Sequence, residues 1–303
     1  MHTALRTRAL DLVPTDSTVR PGTETVVAVT GASGYVGSLV VAGFLAGGYR
    51  VRRLGRRGPG PPDSADFSLD RAIPAASLER VDTLVHCAYD FTVTRRDEIW
   101  RANVLGTQRL FVAAAAAGVR RTIFISSMSA YAGTRQLYGR AKLACEAMAL
   151  SQGMCVLRLG MVYGENPGGM AGALKKLASL PVIPLPGAGS HQFMLHEEDL
   201  SRALPMLAEA DEWPDTAIGL AHPVAVPFRK VMARAARSAG KARPLFIPIP
   251  WRPLFWTMSL AERTPIRPPL RADSLLGLAR PAAAVPLADY VRSLGIQLRS
   301  FPG

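Results

Sequence analysis

The stretch VVAVTGASGYVG, residues 26–37, decides the fold. Four β-prone apolar residues lead to Thr30, and an amphipathic run follows from Val36 to Leu45. Glycines between two such runs let the chain turn sharply and let a pyrophosphate approach the backbone N–H groups of the helix start. The stretch therefore predicts a strand, a turn and a helix that bind a dinucleotide, with an ordinary strand-to-helix turn as the alternative. The predicted cofactor contacts in this turn are Gly31, Ser33, Gly34, Tyr35, Val36 and Gly37.

Length and composition limit the classes of protein to which this chain can belong. The 303 residues suffice for one large domain, or for a domain and a smaller lobe, and 49% of them are hydrophobic. Residues 1–24 lack a long apolar run, so we expect a flexible N-terminal arm and not a secretory signal. Three cysteines lie in apolar segments without metal-ligand spacing, which favours reduced thiols, a cytoplasmic protein and no metal site.

The charge is basic and uneven. The net charge is +13, and residues 228–303 hold 13 Lys and Arg against three acids. Such a surplus suits nucleic acid, an anionic membrane or an anionic substrate. The arginines are dispersed and carry no interleaved aromatic stripe, which favours a solvated surface. We therefore expect neither a nucleic acid nor a membrane as a partner.

Strands and helices alternate from residue 25 to residue 164, which predicts right-handed β-α-β units and a Rossmann-like, doubly wound parallel sheet of the α/β class. Ligands of such sheets bind where strands end at their carboxyl edge. The strand ends near Ala88 and at Ser126-Ser127 are therefore candidate sites, together with the flanking Cys87 and Tyr89. The predicted strands cover 25–30, 49–54, 81–88, 121–126 and 154–159, and the predicted helices 35–47, 99–118 and 137–151.

The second strand ends at Gly55-Arg56-Arg57. An acid at this position would bind the adenosine ribose diol and repel a 2′-phosphate. Arginine instead makes charge-assisted bonds to phosphate, so Arg56 and Arg57 favour NADP(H), with NAD(H) as the alternative. Asp66 and Phe67 follow a short strand-like piece and are predicted to face the adenine.

A catalytic group is predicted after the strand 121–126. Ser126 and Ser127 close that strand, and Tyr138 and Lys142 follow at a spacing that puts them on one helix face. A phenol has a pKa near 10, and a neighbouring ammonium would lower it toward neutral pH. Tyr138 would then exchange a proton with a substrate hydroxyl, while Ser127 orients the substrate oxygen. A surface tyrosine beside a solvated lysine is the alternative.

At this point the chain resembles the extended short-chain dehydrogenase/reductases of the NAD-dependent epimerase/dehydratase family. The matching motifs span residues 25–210, namely TGASGYVG (30–37), DTLVHCA (82–88), NVLGT (103–107), ISSMSAY (125–131), YGRAK (138–142), LRLGMVYG (157–164) and FMLHEEDL (193–200). The resemblance implies that Ser127, Tyr138 and Lys142 are catalytic and that Asn103 supports the lysine. It also implies that Leu159, Gly160, Met161 and Val162 pass the nicotinamide.

Two departures from that family bear on the substrate. Relatives that act on sugar nucleotides usually carry an asparagine where Met161 stands and an arginine where His191 stands. Lys175, Lys176 and Arg229 are the nearby basic residues that could substitute. The sequence thus favours a reductase or dehydrogenase acting on a less polar carbonyl or secondary alcohol. The predicted substrate contacts are Tyr89, Ser127, Met128, Met161 and His191.

Two alternatives stay open, a nucleotide-sugar epimerase or dehydratase and a non-enzymatic scaffold that senses NADP(H). Pro and Gly become frequent after Gly164, so residues 165–303 are predicted to form a smaller substrate-binding lobe, interleaved with returns to the main sheet. In it, Pro248 to Trp256 is expected to be lobe core, or else an apolar wall or lid for the substrate. Helices 99–117 and 137–151 could pair two copies of the chain as a homodimer.

Overall fold

The computed structural model describes residues 25–56, 63–186, 189–241, 244–262 and 271–302. The predicted arm 1–24 and Arg57 lie outside the described residues. The strands are β1 (Val26–Thr30), β2 (Arg50–Gly55), β3 (Ser64–Asp66), β4 (Thr83–His86), β5 (Arg121–Ser127), β6 (Cys155–Leu159), β7 (Met161–Tyr163), β8 (Val182–Pro186), β9 (His191–Gln192), β10 (Met194–His196), β11 (Ile218–Leu220), β12 (Val226–Pro227) and β13 (Leu245–Ile249).

The helices are α1 (Tyr35–Ala46), α2 (Arg96–Ile99), α3 (Leu105–Ala116), α4 (Leu137–Leu150), α5 (Gly169–Ala178), α6 (Glu197–Glu209), α7 (Phe228–Ser238), α8 (Trp251–Ala261), α9 (Ala272–Ala279) and α10 (Ala288–Ser293). A π-helical turn, Trp100–Val104, joins α2 to α3, so the predicted helix 99–118 is divided. Within the described ranges, no helix combines the length and the apolar content needed to cross a bilayer.

Seven parallel strands form the central sheet in the order β11-β6-β5-β4-β1-β2-β3. All five residues of β1 are buried, as expected for a strand covered on both faces. The chain runs outward from β1 to one edge through β2 and β3, then returns to β4 on its other side. This reversal places the topological switch point between β1 and β4. The predicted α/β class with a doubly wound parallel sheet is confirmed.

Helices cover both faces of this sheet. On one face α1 packs against α6, and the buried Phe44 and Leu204 lie with Val29 of β1 in one apolar cluster. On the other face α3 and α4 pack over the sheet, where the rings of Phe111 and Phe124 meet edge to face at 5.9 Å. Burial of side chains of this size contributes ~1.5–3 kcal/mol each.

The second half of the chain builds a separate apolar cluster but also returns to the sheet. Leu174, Ile183, Phe228 and Met232 pack together from α5, β8 and α7. In contrast, β11 joins the sheet beside β6. The domain boundary at residue 164 and the homodimer through helices 99–117 and 137–151 stay predictions.

The segment that contains α8 is not the lobe core that the sequence predicts. No residue of α8 is buried, and the Trp256 side chain is 72% exposed. None of its residues lines the cavity of about 800 Å³ that opens at the carboxyl edge of the central sheet, so α8 is not a wall of that cavity either. An apolar segment predicts burial only where another element covers it, and nothing in the described part of the chain covers this helix on its outer side.

Candidate active site

The glycine turn leaves the backbone bare at the start of α1. Gly31 has φ +65°, and a Cβ there would lie 2.9 Å from the Ala88 Cα. A Cβ on Gly37 would lie 2.1 Å from the Gly31 carbonyl oxygen, so α1 can approach β1 this closely only with glycine. The first N–H groups of α1 have no partner within the helix and face a cavity. The turn therefore fits the pyrophosphate of a dinucleotide.

A buried polar chain fixes the neighbouring strand end. Thr30 Oγ1 accepts hydrogen bonds from the N–H groups of Cys87, at 3.1 Å, and Ala88, at 3.2 Å. Its own proton is therefore donated to His86 Nδ1, 2.6 Å away, and His86 Nε2–H donates to Thr107 Oγ1 at 2.9 Å. Burial lowers the pKa of His86 to about 3, which keeps the ring neutral.

A cavity of about 800 Å³ opens at the carboxyl edge of the sheet. Its lining includes the residues that follow β1 and β4 and those that end β5, so it lies at the switch point. Ligand pockets usually measure ~300–1,000 Å³, and this one lies toward the upper end of that range. In the part of the chain that the structure describes, no group of three or more His, Cys, Asp or Glu is arranged to hold a metal ion.

Ser127, Tyr138 and Lys142 all line this cavity. The Tyr138 phenol lies close enough to Ser127 for that hydroxyl to affect its pKa, and the Ser127 Oγ accepts from the Ser129 N–H at 3.1 Å. Burial raises the pKa of Tyr138 to about 12, and the Ser127 hydroxyl offsets part of that rise. The expectation that Lys142, together with a positively charged oxidised nicotinamide, lowers this pKa stays a prediction for the cofactor-bound protein. At neutral pH Tyr138 is a proton donor.

Lys142 is held in one place by its surroundings. The residue is 3% exposed, and its Nζ donates to the Ile125 carbonyl oxygen at 2.7 Å. The ammonium lies 4.6 Å from the ring centre of Phe124 and 5.4 Å from that of Tyr89. Burial lowers the pKa of Lys142 to about 8, because few counter-charges lie near it. Its position suits a contact with the ribose next to a nicotinamide.

Aromatic and sulfur-containing side chains form the wall above Tyr138. The Tyr89 ring meets the Tyr138 ring edge to face at 4.8 Å, and the Phe91 ring lies 5.7 Å from it. Met128 and Met161 line the same cavity. The wall is therefore largely apolar next to the predicted proton donor.

The C-terminal part of the chain closes the site. The carboxylate of Asp273, in α9, accepts from the Leu137 N–H at 2.7 Å and the Tyr138 N–H at 3.0 Å, so it caps the helix that carries Tyr138. Burial raises the pKa of Asp273. Arg271 donates to the carbonyl oxygens of Phe91 and Val93, which ties α9 to the loop after β4.

Most of the sequence-predicted residues line the cavity. On the cofactor side these are Gly31, Ser33, Gly34, Tyr35, Val36, Gly37, Arg56, Phe67, Cys87, Ala88, Tyr89, Ser126, Leu159, Gly160, Met161 and Val162. The Ser126 hydroxyl itself is turned away and donates to the buried Glu146 carboxylate. Tyr35 lines the cavity while its hydroxyl donates to Glu197 at 2.9 Å, which ties the glycine turn to α6.

Three predicted residues are not brought to the cavity. The Asn103 side chain bonds instead to the backbone of Asp90, accepting from its N–H at 2.6 Å and donating to its carbonyl oxygen at 3.2 Å. It therefore holds the loop after β4 and does not contact Lys142. His191 makes a 3.0 Å hydrogen bond with the Ala282 carbonyl oxygen, and Asp66 ends β3 outside the cavity lining.

The cavity also contains residues that the sequence did not predict. Some come from the loop after β4, from the start of α5, and from β9 with the residue after it, namely Asp90, Phe91, Thr92, Gly168, Gly169, Met170, Ala171, Ala173, Gln192 and Phe193. Others come from the turn after β3, from the approach to α4 and from the C-terminal segment around α9, and these include Ser68, Leu69, Asp70, Gln136, Arg271, Asp273, Ser274, Gly277, Leu278, Pro281 and Ala282. No local pattern in the sequence distinguishes the last seven, because the contacts that bring them to α4 cross more than 130 residues of chain.

The fold and the site define a nicotinamide-dinucleotide-binding protein, and comparison with known proteins identifies its family. The model of the NAD dependent epimerase/dehydratase family matches residues 27–216. The chain therefore belongs to this family, whose members are NAD(P)-dependent enzymes of the extended short-chain dehydrogenase/reductase type.

Individual relatives match over part of their length. A ceramide reductase of Caulobacter vibrioides is 30% identical over 190 residues, which cover 59% of this chain and 59% of that protein. An uncharacterised protein of Mycobacterium tuberculosis is 30% identical over 70% of this chain but only 23% of its own length. The chain thus spans less than two thirds of these relatives. Among solved structures, MoeE5 in complex with UDP-glucose and NAD is 25% identical with TM-score 0.70, covering 91% of this chain and 94% of that one.

Proposed function

We propose that this protein is an NADP(H)-dependent oxidoreductase that transfers hydride between the nicotinamide and a carbonyl or secondary alcohol of a small, fairly apolar substrate. The observation that carries the proposal is the position of Tyr138, which lies with Ser127 and Lys142 in one cavity beside an apolar wall. A ceramide reductase among the relatives supports reduction as the reaction.

The residues divide the chemistry between them. When bound, the nicotinamide supplies or accepts the hydride. Tyr138 donates the proton to the substrate oxygen, because its pKa of about 12 keeps the phenol protonated at neutral pH. The Ser127 Oγ is held by the Ser129 N–H, so its own proton can be directed at the same oxygen. Lys142, fixed by the Ile125 carbonyl, holds the ribose side.

The NADP(H) preference rests on the end of β2. Arg56 is exposed at the edge of the cavity and no acid stands beside it in the sequence. Replacing Arg56 and Arg57 with alanine should lower the ratio of NADPH to NADH affinity by about tenfold or more, since each charge-assisted bond contributes ~1.5–3 kcal/mol. Titration of nicotinamide fluorescence measures both affinities, and an unchanged ratio would contradict the preference.

A nucleotide-sugar epimerase or dehydratase is the second candidate, because MoeE5 binds UDP-glucose. The basic residues that the sequence offers for binding a diphosphate do not support it. Lys175 contacts the Glu165 carbonyl oxygen at 3.5 Å, Arg229 lies over the Phe246 ring, and neither lines the large cavity. Lys176 does not line it.

The decisive experiment follows NADPH oxidation with apolar ketones and with UDP- and dTDP-sugars. We expect turnover with ketones, and a loss of about 10²–10⁴-fold in Tyr138→Phe while NADPH still binds. Tyr131→Phe is the matched control, since that hydroxyl donates to the Arg280 carbonyl oxygen away from the cavity. Tight UDP binding together with turnover of a nucleotide sugar would favour a nucleotide-sugar epimerase or dehydratase. NADPH binding with no oxidation of any substrate would favour a cofactor-sensing scaffold.

A further inference from the structure

The segment from β13 to α8 carries several exposed apolar side chains. The exposed fractions are 59% for Leu245, 48% for Ile247, 72% for Trp256 and 65% for Leu260. In the paired strand β8, Val182 lies opposite Leu245 and is 40% exposed. Trp256 and Leu260 lie one helical turn apart, and exposed apolar side chains that lie together usually mark a binding face. We call the surface formed by Trp256 and Leu260 the α8 face.

The helix itself is built for a boundary between apolar and aqueous surroundings. Arg252, Trp256 and Leu260 are four residues apart, so they share one exposed side of α8. Trp251 and Phe255, on the other side, are only partly buried. Tryptophan is enriched where one end of a side chain is apolar and the other is wet. Trp256 and Leu260 are therefore suited to contact a boundary between apolar and aqueous surroundings.

Basic side chains occur in both the strand part and the helix part of this segment. The Arg252 and Arg280 guanidinium groups lie 5.6 Å and 5.3 Å from the centre of the Trp251 ring. Arg229 lies 5.7 Å from the ring centre of Phe246 in β13. The Lys241 ammonium donates to the Leu180 carbonyl oxygen, two residues from Val182. Basic groups beside exposed apolar ones attract an anionic surface.

The surrounding sequence carries almost no compensating charge. Residues 228–271 hold ten Lys and Arg but one acid, Glu262, a net charge of +9. The Glu262 carboxylate is engaged within the fold, since it accepts from the Ala272 N–H at 2.7 Å. A second copy of this chain on the α8 face would bring two such basic regions together, which like-charge repulsion disfavours. The charge therefore complements an anionic partner and not another copy.

We propose that the α8 face docks this protein onto the surface of an anionic phospholipid bilayer, with Trp256 and Leu260 inserted at the headgroup level. The sequence predicted no membrane partner, because its arginines are dispersed and favour a solvated surface. The proposal does not depend on the reaction assigned above. The face lies beside the cavity, because α8 packs against α9, which forms one cavity wall.

The test is flotation of the full-length protein with two kinds of vesicle, pure phosphatidylcholine and phosphatidylcholine mixed with phosphatidylglycerol. We expect binding to the anionic vesicles only, weakened as salt screens the charges. The double variant Trp256→Ser/Leu260→Ser should bind about tenfold less or weaker still. Val224→Ser is the matched control, because Val224 is 63% exposed outside this face. Its binding should equal that of the wild type.

Three results would overturn the proposal. One is no binding to anionic vesicles at low salt, and another is equal binding by the double variant. The third is concentration-dependent dimerisation in light scattering that the double variant abolishes, which would make the α8 face a contact between copies. Thermal unfolding of both variants is measured alongside, and we expect no loss because these side chains are solvent-exposed in the wild type.

Discussion

Replacing Asp273 should loosen the helix that carries Tyr138. The carboxylate accepts from the first two N–H groups of α4, at 2.7 and 3.0 Å, so Asp273→Ala removes a complete cap. A lost cap costs ~0.5–2 kcal/mol, and hydrogen bonds to a charged group contribute ~1.5–3 kcal/mol each. We expect Asp273→Ala to lower the free energy of unfolding by ~3 kcal/mol and Tm by about 6–12 °C. Asp273→Asn keeps one neutral acceptor and should lose about half as much.

Calorimetry at pH 8 measures the stability of these variants, and NADPH oxidation measures the effect on turnover. Turnover should fall by more than about tenfold in Asp273→Ala, because a small displacement of an acid–base group is costly. Asp289→Ala is the control, since Asp289 also lies in the first turn of a helix but its side chain is 88% exposed. A Tm for Asp273→Ala equal to that of the wild type, or an equal loss in Asp289→Ala, would refute the reasoning.

Three further predictions concern the buried framework. Between pH 6.5 and 4.5 the unfolded chain binds a proton at His86 that the native state, with a pKa of about 3, does not bind. The free energy of unfolding therefore decreases as the pH is lowered through this range. Urea unfolding should show the wild type losing ~2–3 kcal/mol relative to His86→Gln over that range. Gly37→Ala should abolish NADPH binding in fluorescence titration, because the added Cβ meets the Gly31 carbonyl at 2.1 Å, whereas Gly189→Ala should not. Glu146→Ala should lower the free energy of unfolding by ~3–5 kcal/mol in chemical denaturation, because it leaves the partly buried Arg158 guanidinium without its ion-pair partner. A decrease of less than ~1 kcal/mol would contradict this.

The sheet and its switch point were predictable because each inner strand is a short apolar run bounded by glycine or polar residues. The strand before Gly31 and the run before Ser127 are of this kind. The spacing of Tyr138 and Lys142 likewise placed both on one side of a helix from sequence alone. These inferences use local periodicity, which the chain retains whatever surrounds it.

The rest of the site depends on contacts that no local pattern encodes. Asp273 reaches Tyr138 across 135 residues, and its neighbours look like any short amphipathic segment. The rise in the pKa of Tyr138 could not be derived from the sequence, because burial causes it and burial is a property of the assembled cavity. The exposure of Trp256 was missed for a related reason, since apolar sequence does not say whether a covering element exists.

Because Asp273 caps α4 from far along the chain, assembly of the central sheet and capping of α4 are two separate events in folding. The last strand of the central sheet, β11, ends at Leu220, so the sheet can assemble before residues 271–282 emerge from the ribosome. The bonds from Leu137 and Tyr138 to Asp273, and from Tyr131 to Arg280, close loops of 135 to 149 residues. Long loops close late because their entropy must be overcome first. Pulsed hydrogen exchange should therefore show the amides of β1 protected before those of Leu137 and Tyr138. The central sheet would then form before the helix that carries Tyr138 is capped and the active site is complete.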